Sequence, residues 1–328
     1  MGTRLMNCAA IVVFWALVLS LPELRTFALV NLGVQLAIFI PIASMPGWRR
    51  RQISFVDIAW PTGLMAIGIQ LAVFADRITP LTVLTAAFYF VVGARMATWA
   101  TRVYLSGGLA EELPRYRYQR IRWAHEGFRS ERFSIQFEIT VQMLANASVL
   151  AMPAYLIATN TSSSLSPWEI ACVVVALAAY AFESLADLQK SRFTGGYENT
   201  GTGICDVGLW RYSRHPNYFG QWVQWVALVG LALPSLAGLR DSIDAVAWVG
   251  LLVFLFMAAG AMYYTLVHYT GAVPAEHYSA LKRPAYADYQ ATVNRFFPGP
   301  RRRHETDDDV DVATAQARHA RSSSSPTT

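Results

Sequence analysis

Charge is scarce in this chain. Asp, Glu, Lys and Arg make up 15% of its 328 residues, against about 25% in a soluble domain. The 54% of hydrophobic residues come in blocks of membrane-spanning length, not in alternating faces, which excludes an ordinary soluble fold. Cysteine is nearly missing. Cys8, Cys172 and Cys205 stand alone with no CxxC, so neither a disulfide framework nor a zinc site is expected, and no metal. There is no GxGxxG after a strand-like run, no Walker loop and no HExxH. A bound nucleotide would be held without a Rossmann domain. Met at position 6 removes a myristoylation signal, which needs Ser or Thr there.

Eight apolar runs are present, at 8–21, 27–44, 54–74, 78–99, 135–157, 168–188, 218–233 and 245–267. They predict an all-α, polytopic membrane helical bundle of about eight spans. The division expected is 1–50 for the N-terminal spans, 51–300 for the main membrane domain and 301–328 for a charged, Ser-rich tail too polar to bury a core. The net charge of +5 matters less than its placement. Basic residues cluster at 49–51, 115–132, 190–214 and in the tail, while the other loops carry only Arg25, Arg77, Arg240 or none. With eight spans every cluster falls on one side, which the positive-inside rule makes cytoplasmic, with both termini. The membrane is that of the endoplasmic reticulum or a bacterial cell. Asn160-Thr-Ser162 is a glycosylation sequon if the source is a eukaryote and its loop faces the lumen.

Charged residues inside apolar runs are the informative exceptions. Asp57 opens the third run, where an acid at a span centre costs roughly 3 kcal/mol. It fits either function or the favourable N-terminal end of a helix. Trp60 fits an interfacial aromatic belt. Arg95 lies deeper than Arg102 and is a candidate for a buried anion contact. Glu183 and Asp187 share one helical face, with Lys190 beyond, and suggest a cavity or ion pairs with nearby bases. The loop from Gly107 to Ser134 interleaves arginines with Tyr116, Tyr118 and Trp123. Beside membrane spans it predicts a lipid-facing amphipathic helix or anchor rather than a nucleic-acid site.

The organising stretch is Gly208-Leu-Trp-Arg-Tyr-Ser-Arg-His-Pro-Asn-Tyr-Phe-Gly220. Pro216 biases His215 away from helix, so a basic pair precedes the next span. Asn217 can cap that span, whose N-terminus favours an anion. Arg214 offers a planar fork for phosphate or carboxylate. A basic loop touching lipid headgroups is the alternative.

This stretch, with Asp187-Leu-Gln-Lys-Ser-Arg-Phe193, Val56-Asp-Ile-Ala-Trp60 and the tail from Gly271 to Pro298, resembles the DUF1295 branch of the steroid 5-alpha-reductase-like membrane proteins. The resemblance covers about residues 50–300. Its RHPxYxG core is also similar to isoprenylcysteine carboxyl methyltransferases and sterol C14 reductases. It implies a membrane oxidoreductase that passes hydride from NADPH to an activated C=C bond of a steroid-like or other long-chain lipid. Such enzymes bind the cofactor in the C-terminal half and the lipid in the N-terminal half. By position, Asp187 matches the acid that holds the cofactor and Asn217 the amide near the nicotinamide. Lys190, Arg192, Arg211 and Arg214 are candidates for the phosphates. Tyr212, His215 and Tyr218 are candidates for ribose or carboxamide, and Glu276 of the tail pattern joins the cofactor set. For the proton, Asp57 is the best acid, with Tyr89 and Tyr104 as further candidates. Gln221 stands where relatives often carry Glu, and His277 follows Glu276 where the methyltransferases usually show paired glutamates. The alternatives are a lipid methyltransferase using S-adenosylmethionine and a non-enzymatic lipid-binding membrane protein.

Overall fold

The computed structural model describes the backbone of residues 2–126, 130–195 and 203–302, and the side chains from residue 9 onward within them, Glu126 excepted. The expected tail from residue 303, and the Cys8 side chain, lie outside the described residues. Among those described there is no strand. In order, the helices are α1 (Gly2–Ser20), α2 (Pro22–Phe39), a π turn (Ile40–Ser44), α3 (Met45–Arg50), α4 (Val56–Phe74), α5 (Pro80–Leu105) and α6 (Pro114–Glu126). Then follow α7 (Glu131–Ala147), α8 (Met152–Ala158), α9 (Pro167–Gly195), α10 (Pro216–Gly238) and α11 (Ala245–Tyr264). A second π turn (Thr265–Tyr269), α12 (Ala272–Lys282) and α13 (Tyr286–Thr292) end the described chain.

Seven helical segments are long and apolar enough to cross a membrane. The eighth expected span is α1, whose apolar part from Ala9 to Ser20 is shorter. It nevertheless packs into the bundle: Phe14 is fully buried and meets Phe254 edge-on at 5.1 Å. Hydrophobic faces of α2, α4, α5, α8, α10 and α11 share one core. A second apolar cluster joins α2, α4, α6 and α7 at the basic end.

One expected span is not continuous. The run 135–157 is split into α7 and α8, because Pro153 stands in the first turn of α8 and cannot donate to a preceding turn. Ser148 leaves helical geometry at φ −124° and ψ −103°. The carbonyls freed at the break are buried and need donors. Tyr155 donates to Ala147 at 2.8 Å and Tyr89 to Leu150 at 2.6 Å.

The basic loop folds into an amphipathic helix, α6, whose buried face packs on the protein across the end of the bundle. Tyr116, Gln119 and Trp123 are buried at helical spacing, and Gln119 and Trp123 both donate to Glu138 of α7. Its arginines are spent on the protein. Arg117 pairs with Glu111, and Arg120 with Glu112 and Glu131. Arg122 donates to the carbonyls of His268 and Tyr269, so α6 ties the early helices to the late ones.

Candidate functional site

Two polar clusters meet at this end. The first is built by α12 around Glu276, which is 3% exposed. Arg214 reaches its two oxygens through Nε at 2.8 Å and Nη2 at 3.1 Å. His215, Gln290 and Arg295 add bonds of 3.2, 3.2 and 3.1 Å. The remaining Arg214 nitrogen donates to the carbonyls of Gln290, at 2.9 Å, and Val293. Arg214 is 6% exposed. The arginine expected to hold a phosphate is thus a clamp that fastens the motif to the C-terminal segment. Backbone bonds reinforce it: Arg214 N to Asn294 O at 2.8 Å and Gly299 N to Tyr212 O at 3.0 Å. Burial pushes the His215 imidazole below its usual pKa, against the pull of Glu276, so the ring is neutral near pH 7.

The second cluster is centred on Asp187. Arg95 of α5 donates to its Oδ2 at 3.0 Å, and Asn217 of α10 to its Oδ1 at 3.0 Å. Arg95 also pairs with Glu183, whose other oxygen accepts from Gln224 at 2.6 Å. The close approach of α9 and α10 that this needs is made at Gly220, where a Cβ would lie 3.0 Å from the Glu183 backbone nitrogen. Gly208, at φ +55°, lets its backbone sit against the Gln189 amide, which accepts from Leu209 N at 2.9 Å. Gln221, the departure noted in the sequence, is buried and contacts Met96 Sδ at 3.5 Å.

Asp57 joins these clusters from the N-terminal half. It lies in the first turn of α4 and accepts from Arg115 and, at 2.6 Å, from the Tyr116 hydroxyl. Burial works against the Arg115 charge, but Asp57 outweighs it and holds its pKa above the ordinary value. Burial, reinforced by the Asp57 charge, pushes the Tyr116 phenol well up. Tyr218 stands in the field of Arg115, Asp187 and Asp57. Its ring stacks on His215 at 5.2 Å with 5° between planes.

The expected site residues therefore separate. Asp57, Asp187, Asn217, Tyr218 and His215 come together at one end of the bundle. Lys190 stands over the Trp210 ring at 4.7 Å. Arg192, Arg211 and Tyr212 are exposed. Tyr89 is committed to the break after α7, and Tyr104 lies partly exposed, edge-on to Phe55 at 6.1 Å. Sequence reasoning passed over Arg115 and Tyr116, whose signal was the burial period of α6, and placed Arg95 without its partners.

Four buried polar atoms here have no partner among the described residues: Arg95 Nε, Arg115 Nε, Asn217 Oδ1 and Gln224 Oε1. Two unspent guanidinium donors and two amide acceptors suit a polar ligand that both accepts and donates, such as a phosphorylated nucleotide. Beside the Glu276 cluster an open cleft of about 390 Å³ lies between α6 and α12, lined by Tyr118, Val273, Glu276, His277, Gln290 and Arg295 among others.

No solved structure is similar to this chain. An uncharacterized protein of Schizosaccharomyces pombe, C594.04c, is 26% identical over 229 residues. The match takes in 61% of this chain and 60% of that protein, so the chain spans less than two thirds of its relative's length. The profile of the DUF1295 family, described as a protein of unknown function, matches residues 47–293. That range runs from within α3 to the segment that closes on Glu276, and the chain belongs to the DUF1295 family.

Proposed function

We propose that the protein is a membrane-embedded reductase of an apolar lipid carrying an activated C=C bond, with NADPH as the electron source. The observation that carries this reading is the Asp187 cluster. There an N-terminal-half arginine and a motif asparagine share one carboxylate, and each keeps an unsatisfied buried atom. The residues present fit the cofactor. Asp187, Asn217 and Arg95 would hold its nicotinamide end, and Lys190, Arg192 and Arg211 are the bases near enough in sequence for its phosphates. When bound, NADPH supplies a hydride.

The chain's own residues would supply the proton and exclude water. Both Asp57 oxygens are already occupied, so Asp57 acts by holding Arg115. The Tyr218 hydroxyl makes no hydrogen bond among the described residues and is assigned to the substrate carbonyl. Arg115 would offset the charge left on the phenolate, and solvent would reprotonate it. One hydride and one proton saturate the double bond. α6 would shield the reacting atoms from water until product leaves, and reprotonation by solvent would follow that release.

The test is binding by the detergent-purified protein, read as quenching of tryptophan emission, with Trp210 and Trp222 near the site. Saturable NADPH binding, weaker for NADH, supports the reading. The next step is NADPH oxidation with a panel of apolar enones. Binding of S-adenosylmethionine in its place would overturn the reading in favour of a methyltransferase. Binding of neither, by folded protein, would point to a non-enzymatic lipid-binding role.

A further inference from the structure

The π turn at Ile40–Ser44 is in the C-terminal third of the first long span and serves no part of the site above. A π turn takes one residue more than an α turn. Its effect is visible in the burial pattern. Gln35, Phe39, Ala43 and Gly47 are all buried at intervals of four, a spacing that would drift around an uninterrupted α-helix. A neighbouring exposed face is kept in line as well. Leu36, Ile40, Met45 and Trp48 are all exposed, the step from 40 to 45 absorbing the extra residue. A backbone acceptor loosened by the turn is taken up from outside: Gln136 of α7 donates to Ser44 O at 3.1 Å.

At the basic end of this apolar stripe lies a groove of about 350 Å³ lined by Ser44, Met45, Trp48, Arg49 and Gln136. The Arg132 guanidinium stacks over the Trp48 ring at 5.2 Å. What sets the groove apart is the company its charges keep. Arg49 and Arg132, like Arg50, Arg102 and several other arginines, make no ion pair among the described residues, but here one unpaired arginine lines a groove and the other stacks on the tryptophan that lines it. Two unneutralised guanidiniums, an aromatic ring at the polar boundary and an apolar stripe descending from them match one amphiphile. Its phosphate is anionic and its chains are aliphatic.

We propose that this groove is a binding site for an anionic glycerophospholipid, its phosphate between Arg49 and Arg132 and an acyl chain along Met45, Ile40 and Leu36. The π turn is the device that brings the chain stripe into register with the headgroup end. The site shares no residue with the Asp57–Asp187 cluster, so it stands whether or not the protein is a reductase.

The experiment is native mass spectrometry of the full chain released from micelles of equal phosphatidylglycerol and phosphatidylcholine. Retained phosphatidylglycerol should exceed phosphatidylcholine at least fivefold. The preference should vanish in Arg49→Gln/Arg132→Gln and survive in Arg49→Lys/Arg132→Lys, which keeps the charge and controls for folding. Arg240→Gln is the matched control, because Arg240 also stacks on a tryptophan, Trp248, at 5.6 Å on the opposite end. It should change nothing. Brominated phosphatidylglycerol should quench wild-type emission more than that of Trp48→Phe. Equal retention of both lipids, or a preference that persists without the two arginines, overturns the proposal. Displacement by glycerol phosphate alone overturns it in favour of a soluble phosphate site.

Discussion

Replacing Arg214 by alanine separates two readings of the motif. If the side chain served a cofactor phosphate, its loss would weaken NADPH binding by about 1–3 kcal/mol and leave the folded protein intact. The structure gives it another task. Arg214 is 6% exposed and serves Glu276 and two backbone carbonyls. Breaking a buried pair by removing one partner costs about 3–5 kcal/mol, because a buried charge is left short of donors. Glu276 keeps His215, Gln290 and Arg295, so we expect the lower part of that range, about 3 kcal/mol. At about 2 °C per kcal/mol for a chain of this size, thermal unfolding in detergent should begin roughly 6 °C lower. Because such unfolding is often irreversible, both proteins should be scanned at one fixed rate. Arg214→Ala/Glu276→Gln should be destabilised by less than the sum of its single variants, since each removes the same pair. An unchanged unfolding temperature with weakened NADPH binding would refute the clamp.

Four shorter predictions follow from the same contacts. The depressed His215 pKa means that, below the ordinary value near 6.5, the unfolded chain binds a proton that the folded one refuses. Stability from this group should be complete above about pH 6.5 and fall as pH drops toward the folded-state pKa; thermal scans from pH 5 to 8 should show a slope that His215→Gln flattens. Tyr89→Phe leaves the Leu150 carbonyl bare in the bundle core and should cost about 1 kcal/mol, lowering the unfolding temperature without touching NADPH affinity. Gly220→Ala forces α9 and α10 apart at a 3.0 Å contact and should destabilise by about 1–3 kcal/mol, measured in the same scans. Tyr218→Phe removes a hydroxyl with no hydrogen bond among the described residues, so stability and NADPH binding should hold while enone-dependent NADPH oxidation falls at least tenfold; undiminished oxidation would remove Tyr218 from the proton step.

The spans were legible because apolar runs of that length have few other fates. Asp57 was legible for the same reason, being an acid where acids are costly. The break after α7 was harder: within the run 135–157 it is marked only by Pro153, and of the two tyrosines that satisfy it Tyr155 reads as one more apolar-run residue while Tyr89 lies in α5. The role of Arg214 was hidden by distance along the chain, since its acceptors are 62 to 79 residues later. A planar fork of donors looks the same in sequence whether it meets a phosphate or a buried glutamate. The protein contacts of the basic helix α6 were not legible, because its charges were counted without their partners. Its buried face, Tyr116, Gln119 and Trp123, carried the better signal.

The seam between the motif and residues 286–299 also sets an order of events during synthesis. A ribosome that stopped at residue 283 would release a chain with every membrane helix in place. Yet Arg214 would lack two of its acceptors, and Tyr289 could not reach the Trp210 carbonyl. Of the described residues, the stretch that leaves the exit tunnel last is thus the one that closes over the motif. A product truncated before residue 284 would carry the motif with its clamp half made, Arg214 on Glu276 alone and the Trp210 carbonyl without its tyrosine.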